Sequence, residues 1–270
     1  AAALTGCQSD DPPPDLRYVA LGDSFAAAPG VPPKADDATC ARSSGNYPHL
    51  VADQEPDYTL VDVSCTGATT GAMFSPQVRN LTTIPPQLDA LTEDTDLVTL
   101  SVGGNDYNFI TTLLGRCGQL RPQDPTGSPC REEMSKTGPD VLLADTRRIG
   151  QNVEKVLGAI QEAAPDAQVL LVGYPMFFPE QGTCPDLLPL ADGDVAYAHE
   201  LNVRLVQETR DAARRAGAEY VDTAAAFAGH DICAEDPWVN GHVADPGAAA
   251  AYHAFAVGQQ AVADLVVAQL

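Results

Sequence analysis

Residues 16–24 read "LRYVALGDS". It is a short run of apolar and β-forming residues that ends in a glycine turn, which predicts a buried strand with Asp23 and Ser24 at its carboxyl end. The segment is not the G-x-S-x-G elbow, since Ala26 stands where the second glycine would be. A serine in this position is either the N-cap of a helix or a nucleophile, and only partners elsewhere in the chain can decide between them.

Strands and helices alternate through the rest of the chain. A loop is expected at 29–46, an irregular excursion at 109–138, and a further helix after the proline pair in "TIPPQLDAL" (83–91). Strands are predicted at 58–65, 95–106, 167–175 and 218–227, and helices at 46–54, 140–164, 194–217 and 258–270. This alternation predicts an α/β fold with a mainly parallel, five-stranded sheet covered on both faces.

Ligands of such sheets bind beyond the carboxyl ends of the strands, and the unusual residues fall there. "GGND" (103–106) offers two glycines that allow close backbone approach and an amide, Asn105, that could donate to an oxyanion. Gly67 could present a backbone N–H; each of these features could also be an ordinary turn. The loop "YPMFFPE" (174–180) is either an apolar cap of the core or the wall of an acyl pocket formed by Met176, Phe177 and Phe178.

A catalytic serine needs a base, and the chain has 5 histidines. His49 lies at a predicted helix start and His199 in the middle of a charged helix. The other three follow the last predicted strand and are comparable candidates by position: His230, His242 and His253.

The order of these motifs resembles the SGNH (GDSL) hydrolase family. "GDS" near the start, a lone glycine after the second strand, "GGND" after the third and a histidine before the last helix span about residues 16–270. "GHDIC…PWVNG" (229–241) is similar to the secreted actinobacterial esterase and lipase branch. The resemblance implies a flavodoxin-like three-layer fold and ester hydrolysis without metal or cofactor. It assigns Ser24 as nucleophile, His253 as base, and the Ser24 N–H, Gly67 N–H and Asn105 side chain as the oxyanion hole.

The sequence departs from the family around the base. The family usually reads Asp-x-x-His-Pro-Asn, whereas this chain reads "AAYHAFAVGQQ" (250–260), with Ala250 in place of the aspartate. The following "GQQAVADLV" keeps the register, which favours His253 over His242. Some group must hold the Nδ1–H of the imidazole. We expect the Ala250 carbonyl to do so, with Asp245 as the alternative.

Composition limits the partners. The chain has 37 acidic and 15 basic residues, a formal net charge of −22, which argues against nucleic acid as a partner. No run approaches the roughly 18 apolar residues that span a bilayer.

Six of the 7 cysteines are spread without any C-x-x-C, which argues against zinc. Fifteen pairings are possible. We favour the sequential one, because each bond then closes a loop flanked by turn residues; six reduced cysteines are the alternative. The favoured bonds are Cys40–Cys65, Cys117–Cys130 and Cys184–Cys233.

The seventh cysteine, Cys7, ends the tetrapeptide "LTGC" (4–7), which resembles a bacterial lipobox. In this interpretation residues 1–15 comprise a signal remnant, the lipidated Cys7 and a flexible tether, and residues 16–270 form one hydrolase domain. The protein would then be extracytoplasmic and held at the membrane by Cys7 alone; the alternative is a tail cysteine of no consequence.

Three functions remain open, two of them enzymatic and one without catalysis. The first is hydrolysis of a small-molecule or lipid ester by a monomeric enzyme. The second is deacetylation of sugars or cell-wall glycans. The third is ligand binding by a surface lipoprotein that has lost catalysis, which the altered motif around His253 would favour.

Overall fold

The computed structural model describes residues 15–34, 38–243 and 247–270, so the predictions for Cys7 and Asp245 lie outside the described residues. Seven strands occur in this part of the chain. Five form the central sheet: β1 (Leu16–Gly22), β2 (Tyr58–Asp62), β5 (Leu97–Ser101), β6 (Gln168–Val172) and β7 (Glu219–Val221). The other two, β3 (Gln77–Arg79) and β4 (Thr82–Ile84), pair as an antiparallel hairpin outside it.

The central sheet is parallel throughout, with the strand order β2-β1-β5-β6-β7. If the five strands of this sheet are renumbered in chain order, their order is 2-1-3-4-5, which is that of flavodoxin. The winding of the chain then changes direction between the first and third strands, β1 and β5. A ligand crevice is expected there, beyond the ends of β1 and β5. Those two strands carry "GDS" and "GGND", so the topology brings both motifs to one edge.

Helices cover both faces of the sheet, and the predicted α/β fold is confirmed. The long helices α6 (Val141–Ala163) and α7 (Asp192–Ala216) pack against each other, and α2 (Tyr47–Gln54) packs against α9 (Ala256–Val267). Gly217 ends α7 in the left-handed conformation, as its sequence predicts. The shorter helices are α1 (Ser24–Ala27), α3 (Phe109–Thr111), α4 (Cys117–Leu120), α5 (Pro129–Met134) and α8 (Thr223–Ala226).

Three local predictions are wrong. The excursion at 109–138 is largely helical: α3 continues through a π-helix (Thr112–Arg116) into α4, and α5 follows. The helix expected after the proline pair is only a 3₁₀ turn (Gln87–Ala90). The strand expected at 218–227 stops at Val221, because Thr223–Ala226 forms α8.

The structure contains the three disulfides favoured from the sequence, Cys40–Cys65, Cys117–Cys130 and Cys184–Cys233. The first joins the loop before α2 to the segment after β2, the second joins α4 to α5, and the third joins the loop after β6 to the segment after α8. Among the described residues, no helix combines the length and apolar composition needed to cross a bilayer. In the same residues, no three His, Cys, Asp or Glu side chains converge as a metal site would require.

Candidate active site

Ser24 lies at the sharp turn between β1 and α1. Gly22 precedes it at a close approach, since a Cβ there would lie 2.6 Å from the Ser101 carbonyl oxygen, which only glycine avoids. Asp23 caps α1, with Oδ1 accepting the Phe25 N–H at 2.9 Å. The Gln87 amide closes the end of β1 by accepting from Gly22 N at 2.7 Å and donating to Gly22 O at 2.9 Å. The serine is thus held in a fixed turn at the carboxyl edge of the sheet.

Gly67 and Asn105 lie on the two loops beside Ser24. Gly67 has a φ of +79°, which favours glycine, and it follows the Cys40–Cys65 disulfide by two residues. The Asn105 side chain donates from Nδ2 to the Ala68 carbonyl at 3.0 Å, which fixes the orientation of the amide. Among the described residues, the backbone N–H groups of Ser24 and Gly67 have no hydrogen-bond partner, so both remain free to donate to a ligand.

Asp106 fastens these two loops together. This buried carboxylate accepts the Thr70 N–H at 2.8 Å and the Thr70 hydroxyl at 2.5 Å, and it also accepts from Asn152 Nδ2 at 3.0 Å. Asp106 directly follows Asn105, and Thr70 lies three residues beyond Gly67. The bonds therefore set the distance between the two expected oxyanion donors.

His253 faces the same cavity from a different part of the chain. The segment around it pairs with "PWVNG": Asn240 N donates to His253 O at 2.9 Å, and Val239 and Ala254 form an antiparallel bridge. The ring Nδ1 lies 2.7 Å from the Ala251 carbonyl. Because a carbonyl can only accept, Nδ1 carries the proton and Nε2 has a free lone pair. Burial lowers the pKa of His253, so the ring is neutral at pH 7.

The Ala250 carbonyl is therefore not the group that holds Nδ1, and the prediction for it was wrong. That oxygen accepts the backbone N–H of His253 at 3.2 Å instead. Tyr252 lies between the two partners with a φ of +62°, and this left-handed residue turns the chain so that the Ala251 carbonyl meets the ring.

The other two histidines after the last strand differ from His253. His230 stacks on Trp238 at 4.0 Å between ring centroids and does not line the cavity, and Trp238 also packs edge-on against Phe227. His242 does line the cavity, but it is exposed, and its Nδ1 lies 2.9 Å from the Tyr252 hydroxyl. His253 thus differs from His230 in lining the cavity and from His242 in being less exposed.

A buried hydrogen-bond chain connects the serine turn with the Gly-Gly-Asn turn. The Tyr174 hydroxyl accepts the Gly104 N–H at 2.9 Å and donates to Asp23 Oδ2 in a short bond. Burial raises the pKa of Asp23 to about 7, against the lowering effect of the Tyr174 hydrogen bond. Burial also raises the pKa of Tyr174 well above its usual range, and the Asp23 charge adds to this. Tyr174 was not singled out from the sequence, although it opens the "YPMFFPE" loop.

These groups surround one cavity of about 450 Å³. Ser24, Gly67, Asn105 and His253 all line it, together with Phe177 and Phe178. Met176 is not among the lining residues, so its prediction as part of the pocket was wrong; the chain turns so that Phe177 instead meets Phe25, at 6.3 Å between ring centroids. Most of the apolar wall comes from residues that the sequence reasoning missed: Phe109, Ile110, Leu113, Leu114, Leu205 and Ile232.

The flavodoxin topology and the convergence of a serine, an amide and a neutral histidine on one apolar cavity are the features of a serine ester hydrolase with a flavodoxin-like fold. A model of the GDSL-like Lipase/Acylhydrolase family matches residues 20–261. The chain is 36% identical over 262 residues to Lipase 2 of Streptomyces coelicolor, covering 93% of this chain and 84% of that protein. It is similar to the crystal structure of an extracellular lipase from Streptomyces rimosus (TM-score 0.78, 27% identity, 94% of this chain and 100% of that one). The structure of phospholipase A1 from Streptomyces albidoflavus is also similar (TM-score 0.74, 27% identity, 94% and 98%).

The chain belongs to the GDSL-like lipase/acylhydrolase family, and it is a carboxylic ester hydrolase. The resemblance noted from its motifs is thereby confirmed.

Proposed function

We propose that the protein hydrolyses esters of apolar acyl chains through an acyl-enzyme on Ser24, with His253 as the base. The observation that carries this is the convergence of Ser24, Gly67, Asn105 and His253 on one apolar cavity. His253 Nε2 takes the Ser24 proton as Oγ attacks the ester carbonyl, and the imidazolium returns that proton to the leaving alcohol. Water then releases the acid by the same route. The negative charge on the carbonyl oxygen is met by the Ser24 and Gly67 N–H groups and the Asn105 amide.

The Ala251 carbonyl takes the orienting role that an aspartate has in a triad. It fixes the tautomer of His253, as the 2.7 Å contact with Nδ1 requires. A neutral oxygen stabilises the imidazolium less than a carboxylate does, so we expect slower turnover than a full triad would give.

The cavity supports an acyl chain in preference to a sugar. Its wall beyond the reacting groups is made mostly of phenylalanine, leucine and isoleucine side chains. A sugar hydroxyl placed there would lose its hydrogen bonds with water without replacement, at a cost of about 1–3 kcal/mol each. The lipase and phospholipase A1 names of similar proteins support the same choice.

The test is hydrolysis of p-nitrophenyl esters from acetate to palmitate, with acetylated xylan as the competing substrate. Ser24→Ala and His253→Ala should abolish ester hydrolysis, and Asn105→Ala should lower kcat by about 10²–10³-fold. His242→Ala is the matched control, since it removes the other histidine of the cavity, and it should retain most activity. Absence of any Ser24-dependent product would overturn the proposal, and greater loss in His242→Ala than in His253→Ala would move the base.

We also propose export and anchoring through lipidated Cys7. The "LTGC" motif supports the lipid anchor. Export is supported by the three disulfides, which are typical of oxidising compartments, and by the similar lipase from Streptomyces rimosus, which is described as extracellular. Mass spectrometry of membrane-fraction protein should show an acylated Cys7, and Cys7→Ala should release the enzyme. An unmodified Cys7 in processed protein would contradict this.

A further inference from the structure

The hairpin of β3 and β4 stands out because its apolar side chains face water. Leu81, at the tip, is 100% exposed and Val78 is 68% exposed, while Phe74, just before the hairpin, is 50% exposed. On a β-ribbon alternate residues point to opposite faces. Gln77 and Arg79 point toward the protein, and Val78 points away beside its partner Thr83.

The protein-facing side of the hairpin is fixed against the rim of the cavity. Arg79 Nη1 donates to the Thr66 carbonyl at 2.7 Å and Gln77 Nε2 donates to the same oxygen at 3.1 Å. Thr66 lines the cavity and directly precedes Gly67. The hairpin that carries the apolar tip is thus bound to the segment that holds one of the proposed oxyanion donors.

The leucine at the tip is unfavourable for the fold itself. Asn80 and Leu81 are the two central residues of the turn, with φ of +48° and +62°. Two-residue hairpin turns with positive φ at both positions favour Asn-Gly, because an L side chain is strained there. A bulky apolar residue that is both strained and fully exposed points to a role outside the folding of the chain.

Charge identifies the kind of surface that the hairpin fits. Acidic residues are 37 of the 270, or about one in seven, yet the segment 63–88 contains none. Its single charge is Arg79, whose guanidinium donates to the backbone carbonyls of Thr39 and Thr66 and so faces the protein. An apolar, acid-free projection on a protein of net charge −22 suits an uncharged or zwitterionic lipid surface, with no like-charge repulsion at the contact.

We infer that the hairpin inserts Leu81 and Val78 into a lipid–water interface and thereby brings the mouth of the cavity onto aggregated ester substrate. This inference rests on the proposed function, because it assigns the lipid surface as the source of the substrate. The enzyme is then expected to act on dispersed esters at a rate that depends on hairpin binding, and on dissolved esters at a rate that does not.

The experiment uses the full chain with Cys7→Ala throughout, so that no lipid anchor contributes. Leu81→Gly combined with Val78→Thr removes the apolar tip and keeps residues that favour a hairpin turn and a strand. Leu270→Ser is the matched control, because Leu270 is also an exposed leucine, at 43%. It follows Gln269, whose carbonyl accepts from the Gln168 side chain at the amino end of β6, so it lies at the edge of the sheet opposite to the cavity. Binding is measured by co-sedimentation with phosphatidylcholine vesicles, and hydrolysis with dissolved p-nitrophenyl acetate and with a dispersed long-chain ester.

The hairpin variant should bind vesicles at least about tenfold more weakly, given the free energy of burying one large apolar side chain, and should lose hydrolysis of the dispersed ester in proportion. Its kcat/KM for the dissolved ester and its Tm should not fall, and Leu270→Ser should match the parent in every assay. Unchanged vesicle binding in the hairpin variant would overturn the inference. So would a dimeric parent that the hairpin variant converts to monomer, because the tip would then be a contact between copies. If the parent hydrolyses neither ester, the proposed function fails, while vesicle binding still tests the hairpin.

Discussion

The buried Asp23 beside the proposed nucleophile, Ser24, leads to a specific prediction about stability and pH. Asp23 is 2% exposed, and burial raises its pKa to about 7 from an ordinary value of 3.8. Below about pH 4 the carboxyl is protonated in both the folded and unfolded chain, so it adds no pH dependence. Between about pH 4 and 7 the unfolded chain releases a proton that the folded protein keeps, so this group lowers the free energy of unfolding as pH rises.

The size of the effect follows from the separation of the two pKa values. They differ by about three pH units, and each unit corresponds to about 1.4 kcal/mol, so ionised Asp23 costs roughly 4 kcal/mol of stability above pH 7. Asp23→Asn keeps an oxygen that can accept from Phe25 N at the helix cap but cannot ionise. The stability of Asp23→Asn relative to the wild type should therefore rise by about 4 kcal/mol between pH 4 and pH 8.

Urea unfolding with the disulfides intact, at pH values from 4 to 8, measures this directly. Asp166→Asn, at an exposed carboxylate, is the control and should follow the wild type. A constant difference between Asp23→Asn and the wild type across this range would refute the reasoning, because it would mean that Asp23 has the same pKa in the folded and unfolded chain.

Three further predictions concern activity. Gly115 lines the cavity, and a Cβ there meets nothing within 4 Å, so Gly115→Leu should shift the preferred ester toward shorter acyl chains. Gly158→Leu, at another open helical glycine, is the control and should leave the preference unchanged. Hydrolysis of a series of p-nitrophenyl esters by both variants measures this. Asp106→Ala removes the hydrogen bonds that join the loops carrying Gly67 and Asn105, the two proposed oxyanion donors. Because a hydrogen bond to a charged group contributes about 1.5–3 kcal/mol, kcat on a dissolved ester should fall about 10–100-fold with little change in KM. Burial lowers the pKa of His253, so the acid limb of the kcat/KM profile should lie below pH 6.5; a limb at or above that value would contradict a neutral, buried base.

The fold and half of the candidate site follow from short stretches of sequence. A strand that ends in "GDS" and one that ends in "GGND" place their polar residues at the same edge, because parallel strands share a carboxyl edge. Knowing the strand boundaries is enough to bring Ser24 and Asn105 together. The carbonyl partner of His253 could not be found in this way, since it depends on the positive φ of Tyr252 and on pairing with "PWVNG", and neither has a pattern of its own.

The apolar wall of the cavity follows a helical pattern in the sequence that the neighbouring residues obscure. Phe109, Ile110, Leu113 and Leu114 recur at i, i+1, i+4 and i+5, which is the spacing of one helical face. The glycines, prolines and cysteines that follow made the whole segment 109–138 resemble an irregular loop. The Cys117–Cys130 disulfide and the π-helix lie in this segment, and its apolar face lines the cavity that also holds Ser24, so the segment supplies much of the proposed acyl wall. A π-helix widens the turn and is frequent at functional sites, which fits a wall that must leave room for a chain. The size of the proposed acyl pocket therefore depends on the part of the chain whose local sequence is least regular, and substitutions there should change chain-length preference with the reacting groups left in place.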